Sequence, residues 1–271
     1  LREHVPCNEY FGPPSLGIAM LAACTPANWE IDFRDDRIED VGLDDPDLDL
    51  VAISTFTPSS MRAMVLADAF RARGRKVVLG GIFPTAMPQL AGLHADAVVI
   101  GEGEGVWPRL LRDVEQGTLA PRYQASQPED LSCLPVPRTD LYLAKESASY
   151  APDDYPVQLS RGCPLACTAC ALPLSMGRKL RQFPLAHGLA QIEQLAARGK
   201  LASLTEDTSF FASPRAALEA LLTALSERPT KASISYVGIS MPMILATPRA
   251  TFDKLRAAGV PLVPGSDGAG G

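Results

Sequence analysis

The sequence predicts a two-part α/β protein: an N-terminal doubly wound, Rossmann-like domain followed by part of a (β/α) barrel. Three observations carry this expectation. Short runs of Val, Ile and Leu alternate with longer Ala- and Leu-rich stretches, the rhythm of parallel strands covered by helices. The alternation stops in a Pro-, Ser- and Asp-rich stretch and then restarts. In both parts the predicted strands run out into small or polar residues, and open parallel sheets and barrels bind ligands at that end.

In the first part, strands are expected at Ile31–Arg34, Leu50–Ser54, Lys76–Leu79 and Ala97–Ile100. The last three are apolar on both faces, as strands covered by helices on both sides must be. Helices are expected over Ser15–Ala23, Ser59–Arg73, Thr85–Leu93 and Val106–Gln116, with Gly74 stopping the second and Gly117 the last. The strand ends place Ser54, Thr55, Phe56 and Thr57, then Gly80 and Gly81, then Gly101, Glu102, Gly103 and Glu104 as candidate ligand-binding residues. Glycine at such an end lets backbone N–H groups approach a ligand, so a bulky side chain at Gly80 or Gly81 is expected to weaken binding. No G-x-G-x-x-G opens a helix after the first strand, so a nicotinamide fingerprint is absent. The chain opens on "LREHVPCNEYFGPP" and then a helix, so the strand that normally begins such a domain is expected to be missing.

The first domain is expected over residues 1–117, a linker over 118–154 and the partial barrel over 155–271. The linker contains "LSCLPVPRTDLY" and "YAPDDYP". The barrel part begins with a strand at Pro156–Ser160, then a helix at Leu185–Arg198 stopped by Gly199, then a strand at Leu201–Leu204 ending in "TEDTS". The next helix starts with Ser213 as N-cap and Pro214 at its first position, and Leu218, Leu221, Leu222 and Leu225 form its core stripe. A strand at Ala232–Ile239 follows, then a helix starting at Thr247–Pro248 and ending at Gly259, and a last strand at Val260–Val263. A closed eight-fold barrel takes roughly 250 residues, so the chain is expected to end before the fold does.

Composition narrows the functional classes. Of 271 residues 46% are hydrophobic, enough for a core, and no apolar run approaches the roughly 18 residues of a membrane span. The net charge of −6 is local: ten of the 31 acids lie between Glu30 and Asp49, beside only Arg34 and Arg37, which reads as a solvated turn region. No basic patch with interleaved aromatics points to nucleic acid. Six cysteines in a chain this long are no disulfide framework, and Cys7, Cys24 and Cys133 are scattered as small hydrophobes are.

The other three, Cys163, Cys167 and Cys170, stand in "SRGCPLACTAC" at C-x3-C-x2-C spacing, in the loop after the first barrel strand. Glu206 and Asp207 follow the second barrel strand, Ser240 the third, and Ser266–Asp267 the fourth, so these polar loops converge on one rim. A structural zinc site takes four ligands, which would recruit Cys133, an acid, or His187, the last read as an exposed helix residue. A [4Fe–4S] cluster usually takes four thiolates, and with three it keeps one open iron.

The triple in that position resembles the radical S-adenosylmethionine (SAM) superfamily, in which SAM occupies the open iron. More specifically, "VQLSRGCPLACTAC…GRKLRQFP", "PPSLGIAMLAA", "AISTFTP", "GGIFPT" and "ADAVVIGEGEGVWPRLL" resemble the cobalamin-binding radical SAM enzymes, in their domain order and over nearly the whole chain. The resemblance implies three cofactors: a [4Fe–4S] cluster on Cys163, Cys167 and Cys170, SAM, and cobalamin on the first domain. It implies one-electron cleavage of SAM and methyl transfer to an unactivated carbon of a small-molecule substrate. Glu206 and Asp207 fall where the family contacts the SAM amino group. It further implies a cytoplasmic enzyme fed by an external electron donor such as flavodoxin or ferredoxin. Direct transfer requires Ser54–Thr57 and the 160–170 loop to face a common cleft with Glu206 on its wall, since reacting atoms must come within about 3.5 Å.

The chain departs from the superfamily pattern in three places. Ala169 stands where an aromatic usually precedes the last cysteine, no D-x-H-x-x-G occurs around His4, His94 or His187, and four barrel strands stand in place of six. Two rival functions remain: a radical cyclisation or rearrangement without methyl transfer, and a cobalamin-binding or sensing module without turnover.

Overall fold

The computed structural model describes residues 15–147, 151–165, 167–168, 170–204, 215–227, 234–239, 241–258, 260 and 262–264. Along the chain run α1 (Leu16–Ala23), β1 (Leu50–Ser54), α2 (Ser60–Ala72), β2 (Lys76–Gly80), α3 (Ile82–Ala86), α4 (Pro88–His94), β3 (Ala97–Ile100), α5 (Trp107–Glu115) and β4 (Arg122–Gln124). Then come α6 (Asp140–Leu143), β5 (Asp154–Pro156), β6 (Ser160–Arg161), α7 (Leu172–Met176), β7 (Arg181–Gln182), α8 (Leu185–Ala196) and β8 (Leu201–Leu204). The described chain closes with α9 (Arg215–Ser226), β9 (Ile234–Ile239), α10 (Met241–Ala246), α11 (Arg249–Ala257) and β10 (Leu262–Pro264). It divides into two compact units, the first holding residues 20–130 and 167–177, the second 131–166 and 178 onward with the start of α1.

The first unit is built on a parallel sheet in the order β1-β2-β3-β4. Because strand side chains alternate, β2 feeds two cores. Val78 packs with Val99, Trp107, Leu110 and Tyr123 on one face, and Val77 and Leu79 with Ala67, Phe70 and Val98 on the other. This two-sided burial is why the strands are apolar throughout.

Three expectations for this unit change. Residues 31–34 form no strand. Ile31 and Phe33 do alternate inward against exposed Asp32 and Arg34, but the segment is not one of the strands of the sheet β1-β2-β3-β4. The acidic stretch is held by one local pair, Arg37 to Asp35 at 2.6 Å, and by one to α2, Arg62 to Asp36 at 2.7 and 2.6 Å. The helix expected over Thr85–Leu93 is two helices, because Met87 precedes Pro88 and leaves the helical region at φ −130°. Finally, the stretch read as linker supplies β4, the outer strand of this sheet.

The second unit carries a parallel sheet in the order β5-β8-β9-β10, each strand beside its sequence neighbour, as in a barrel wall. The leucine stripe of α9 is buried, as its spacing predicts. The cap expected at Ser213 and Pro214 and the stop at Gly259 lie outside the described residues. The strand expected over Pro156–Ser160 splits. Pro156 ends β5 at the sheet edge, where a missing N–H is tolerated, and Ser160–Arg161 pairs antiparallel with Arg181–Gln182.

Tyr142 of α6 is buried, and its hydroxyl accepts from the Ala19 N–H at 2.9 Å and donates to the Ser15 carbonyl at 2.6 Å. It thereby ties α6 to the first turn of α1. Tyr142→Phe should lower stability by about 0.5–1.5 kcal/mol, the net contribution of a lost intramolecular hydrogen bond. Urea unfolding of the variant checks this, and an unchanged midpoint would show that water replaces the hydroxyl.

Candidate functional site

In the first unit the three predicted loops lie side by side and are stitched by two threonines. Thr55 is buried, its N–H donates to the Gly80 carbonyl at 3.0 Å, and its own carbonyl accepts from the Phe83 N–H at 3.2 Å. Its hydroxyl meets that of Ser59 at 2.9 Å. Thr85 links the second and third loops: its hydroxyl donates to the Gly81 carbonyl at 2.8 Å and accepts from the Gly101 N–H at 2.9 Å. Sequence reasoning named Thr55 but missed Thr85 and Ser59, which look like ordinary helix-start residues. Glu102 accepts the Glu129 N–H at 2.9 Å, and Glu104 is buried. Phe56, by contrast, is 38% exposed, an apolar surface at the rim.

Gly81 has a role other than the expected one. Its φ is +100°, and a Cβ there would stand 2.7 Å from the Thr55 carbonyl oxygen and 3.0 Å from the Thr55 nitrogen. The space beside Gly81 is filled by the neighbouring loop, so the glycine serves loop packing first. At Gly80 a Cβ would meet Val99 at an ordinary 3.7 Å. Residues 167–177, with Cys167 and Cys170, belong to the same unit: α7 packs on α3, and a Cβ on Gly101 would lie 3.8 Å from the Ser175 carbonyl.

In the second unit, the β6–β7 ladder closes the base of the loop 162–180. Cys163 follows β6 directly and is buried, while Cys167 and Cys170 are exposed. A turn joins the latter two, with the Cys170 N–H donating to the Cys167 carbonyl at 3.4 Å. None of the described cysteines is in a disulfide. Three thiols on one short loop fit an iron–sulfur cluster by donor number and softness. Among the described residues, no group of three His, Cys, Asp or Glu is gathered to hold a metal. Glu206, Asp207 and Ser240 lie outside the described residues.

His187, expected on an exposed face, is buried. Its ring stacks on Phe183 at 4.5 Å, Nε2–H donates to the Pro135 carbonyl at 2.9 Å, and Nδ1 accepts from the Gln191 amide at 3.1 Å. Both nitrogens are thus committed within the protein, which removes it as a fourth zinc ligand. Burial holds its pKa below the ordinary 6.5, and the Arg161 cation adds a smaller push the same way. An unfolded chain protonates this imidazole first, so below about pH 6.5 the unfolded state binds more protons and stability falls as pH drops. The denaturation midpoint should therefore fall between pH 7 and 5.5, and fall less in His187→Leu. Equal slopes in both proteins would contradict the assignment.

Residues 10–111 match the B12-binding domain family. The chain is 33% identical over 169 residues to a bacteriochlorophyllide d C-8(2)-methyltransferase of Chlorobaculum tepidum, covering 61% of this chain and 37% of that protein. It is 30% identical over 184 residues to an uncharacterized methyltransferase, sll1242, of Synechocystis, covering 67% and 33%. The chain thus spans about a third of these relatives' length. Among solved structures it resembles the radical SAM methyltransferase TsrM of Kitasatospora setae. With tryptophan and a SAM analogue bound, the TM-score is 0.62 at 21% identity, covering 81% of this chain and 48% of that one. With cobalamin and a [4Fe–4S] cluster bound, it is 0.60 at 20%, covering 81% and 50%. At this identity the likeness speaks for the fold. The first part of the chain is a B12-binding domain. Beyond that domain, the chain is similar in sequence to methyltransferases and in fold to TsrM. Among the described residues no helix is long and apolar enough to cross a membrane.

Proposed function

We propose that this chain carries the cobalamin-binding and cluster-binding parts of a radical SAM methyltransferase that alkylates an unactivated carbon of a small molecule. The observation that carries the reading is a B12-binding domain in one chain with a three-thiol loop that opens from the antiparallel β6–β7 ladder, shortly after the parallel strand β5. Cys163, Cys167 and Cys170 hold the [4Fe–4S] cluster in this reading. Ser54–Thr57, Gly80–Gly81 and Gly101–Glu104 hold cobalamin, and Glu206, Asp207 and Ser240 contact SAM. When bound, the cluster supplies one electron to the SAM sulfonium and cobalamin carries the methyl group.

The chain's own residues contribute position. Thr55 and Thr85 tie the three loops of the first unit, so a ligand there meets fixed backbone donors and loses less freedom on binding. Phe56 offers an apolar face to a bulky ligand. The β6–β7 ladder holds the ends of the cysteine loop together, which lowers the entropy lost when its thiols gather. The electron enters from an external donor of the flavodoxin or ferredoxin kind, in a reducing cytoplasm.

The test is anaerobic incubation of reconstituted protein with methyl-labelled SAM, a chemical reductant, cobalamin and candidate planar heteroaromatic substrates. Labelled product supports methyl transfer. Deoxyadenosine without labelled product supports a radical rearrangement or cyclisation instead. Tight cobalamin binding with neither product leaves a sensing module.

A further inference from the structure

Five side chains around the β6–β7 ladder form a closed circuit that no motif marks. Residues 157–159 lie between β5 and β6 and belong to neither strand. Gln191 of α8 supplies ladder bonds at this gap: its Oε1 accepts the Gln158 N–H at 3.0 Å, and its Nε2 donates to the Gln158 carbonyl at 2.8 Å. The same Nε2 donates its other proton to His187 Nδ1 at 3.1 Å, which leaves Nε2 of His187 to donate to Pro135. The Gln158 side chain accepts from Arg161 Nε at 2.8 Å. The Arg161 guanidinium lies 5.5 Å over the Phe183 ring, whose other contact is the stacked His187. Gln191 is 1% exposed, Gln158 3% and Arg161 5%, so each bond is made away from water, where an unmade one is costly.

We propose that Gln191 and His187 are positioning residues for Cys163: their clasp on Gln158, closed through Arg161 and Phe183, presents the first cluster thiol from a fixed strand end. Three features support this. The circuit acts on the peptide five residues before Cys163 and on the side chain two before it. It pins both sides of the loop's base, since Arg161 belongs to β6 and Phe183 follows β7. Cys163 alone of the three cysteines is buried, which is what a held strand end produces. A glutamine is suited to the task because its amide carries one acceptor and two donors in one plane, and here all three are used. The inference rests on reading Cys163 as a cluster ligand, but its test does not need the cluster.

The experiment measures alkylation of each cysteine by iodoacetamide in the full-length, metal-free, reduced protein, followed by mass spectrometry. In Gln191→Ala the rate at Cys163 should rise about tenfold, as expected for a local opening made about 1.4 kcal/mol easier, with Cys167 and Cys170 unchanged. Backbone hydrogen exchange over residues 157–163 should quicken by a similar factor. In reconstituted protein the electron paramagnetic resonance signal of the reduced cluster should change in shape, which a purely structural role would not produce. If Gln191→Ala fails to fold, His187→Leu breaks the same circuit one bond further away and is read identically. Unchanged Cys163 reactivity and exchange in a folded variant would overturn the proposal. So would an equal rise at every cysteine, Cys24 included, since that reports general loosening. Failure of the unaltered protein to take up iron would count against the cluster reading and leave the thiol result standing.

Discussion

Alanine at Cys163, Cys167 or Cys170 should leave anaerobically reconstituted protein without its iron, where the unaltered chain takes up about four irons and four sulfides. Each substitution removes one of only three thiolates, and two thiols do not hold such a cluster. Alanine at Cys7, Cys24 or Cys133 should change nothing in the iron content. Cys24 is half-buried and Cys133 exposed, and both stand apart from the triple in sequence. Iron and sulfide assays beside the visible charge-transfer absorption decide the matter. Stoichiometric zinc without iron in strictly anaerobic protein would refute the assignment.

The second large effect is expected at Gly81. Gly81→Leu places a branched side chain at φ +100° and drives its Cβ to 2.7 Å from a backbone oxygen that already accepts a hydrogen bond from Phe83. Strain at that backbone angle and overpacking against Thr55 together cost about 3 kcal/mol or more. The loop stitching of the first unit should fail, and cobalamin binding with it. Gly80→Ala, whose Cβ meets Val99 at 3.7 Å, should keep both. Urea unfolding and titration by cobalamin absorbance separate the two losses. A Gly81→Leu protein with the parent's unfolding midpoint would show that the two loops can part without cost.

Much of this protein is legible in the sequence, and the legible parts share a physical cause. The stripe Leu218, Leu221, Leu222 and Leu225 and the strand Leu201–Leu204 are set by local periodicity, and the structure keeps both. The three cysteines propose a cluster by type and spacing within eight residues, and the strand-end glycines and threonines propose a ligand end, both from local sequence alone.

Tertiary structure decided what depends on distant partners. Ile31–Arg34 has the alternation of a strand, yet among the described residues it joins no sheet, so pattern alone was not enough. Gly81 is a glycine because of Thr55, 26 residues earlier, and the site it helps to shape is held by Thr85, which has no local signature. His187 is buried because Phe183 covers its ring and the Pro135 carbonyl, 52 residues away, accepts the hydrogen bond of its Nε2–H. The Gln191 clasp reaches across 33 residues to Gln158. Periodicity records which face of an element turns inward, whereas hydrogen bonds between remote segments depend on how the chain returns on itself. That return is settled by closure of both sheets and leaves no repeat in the sequence to read.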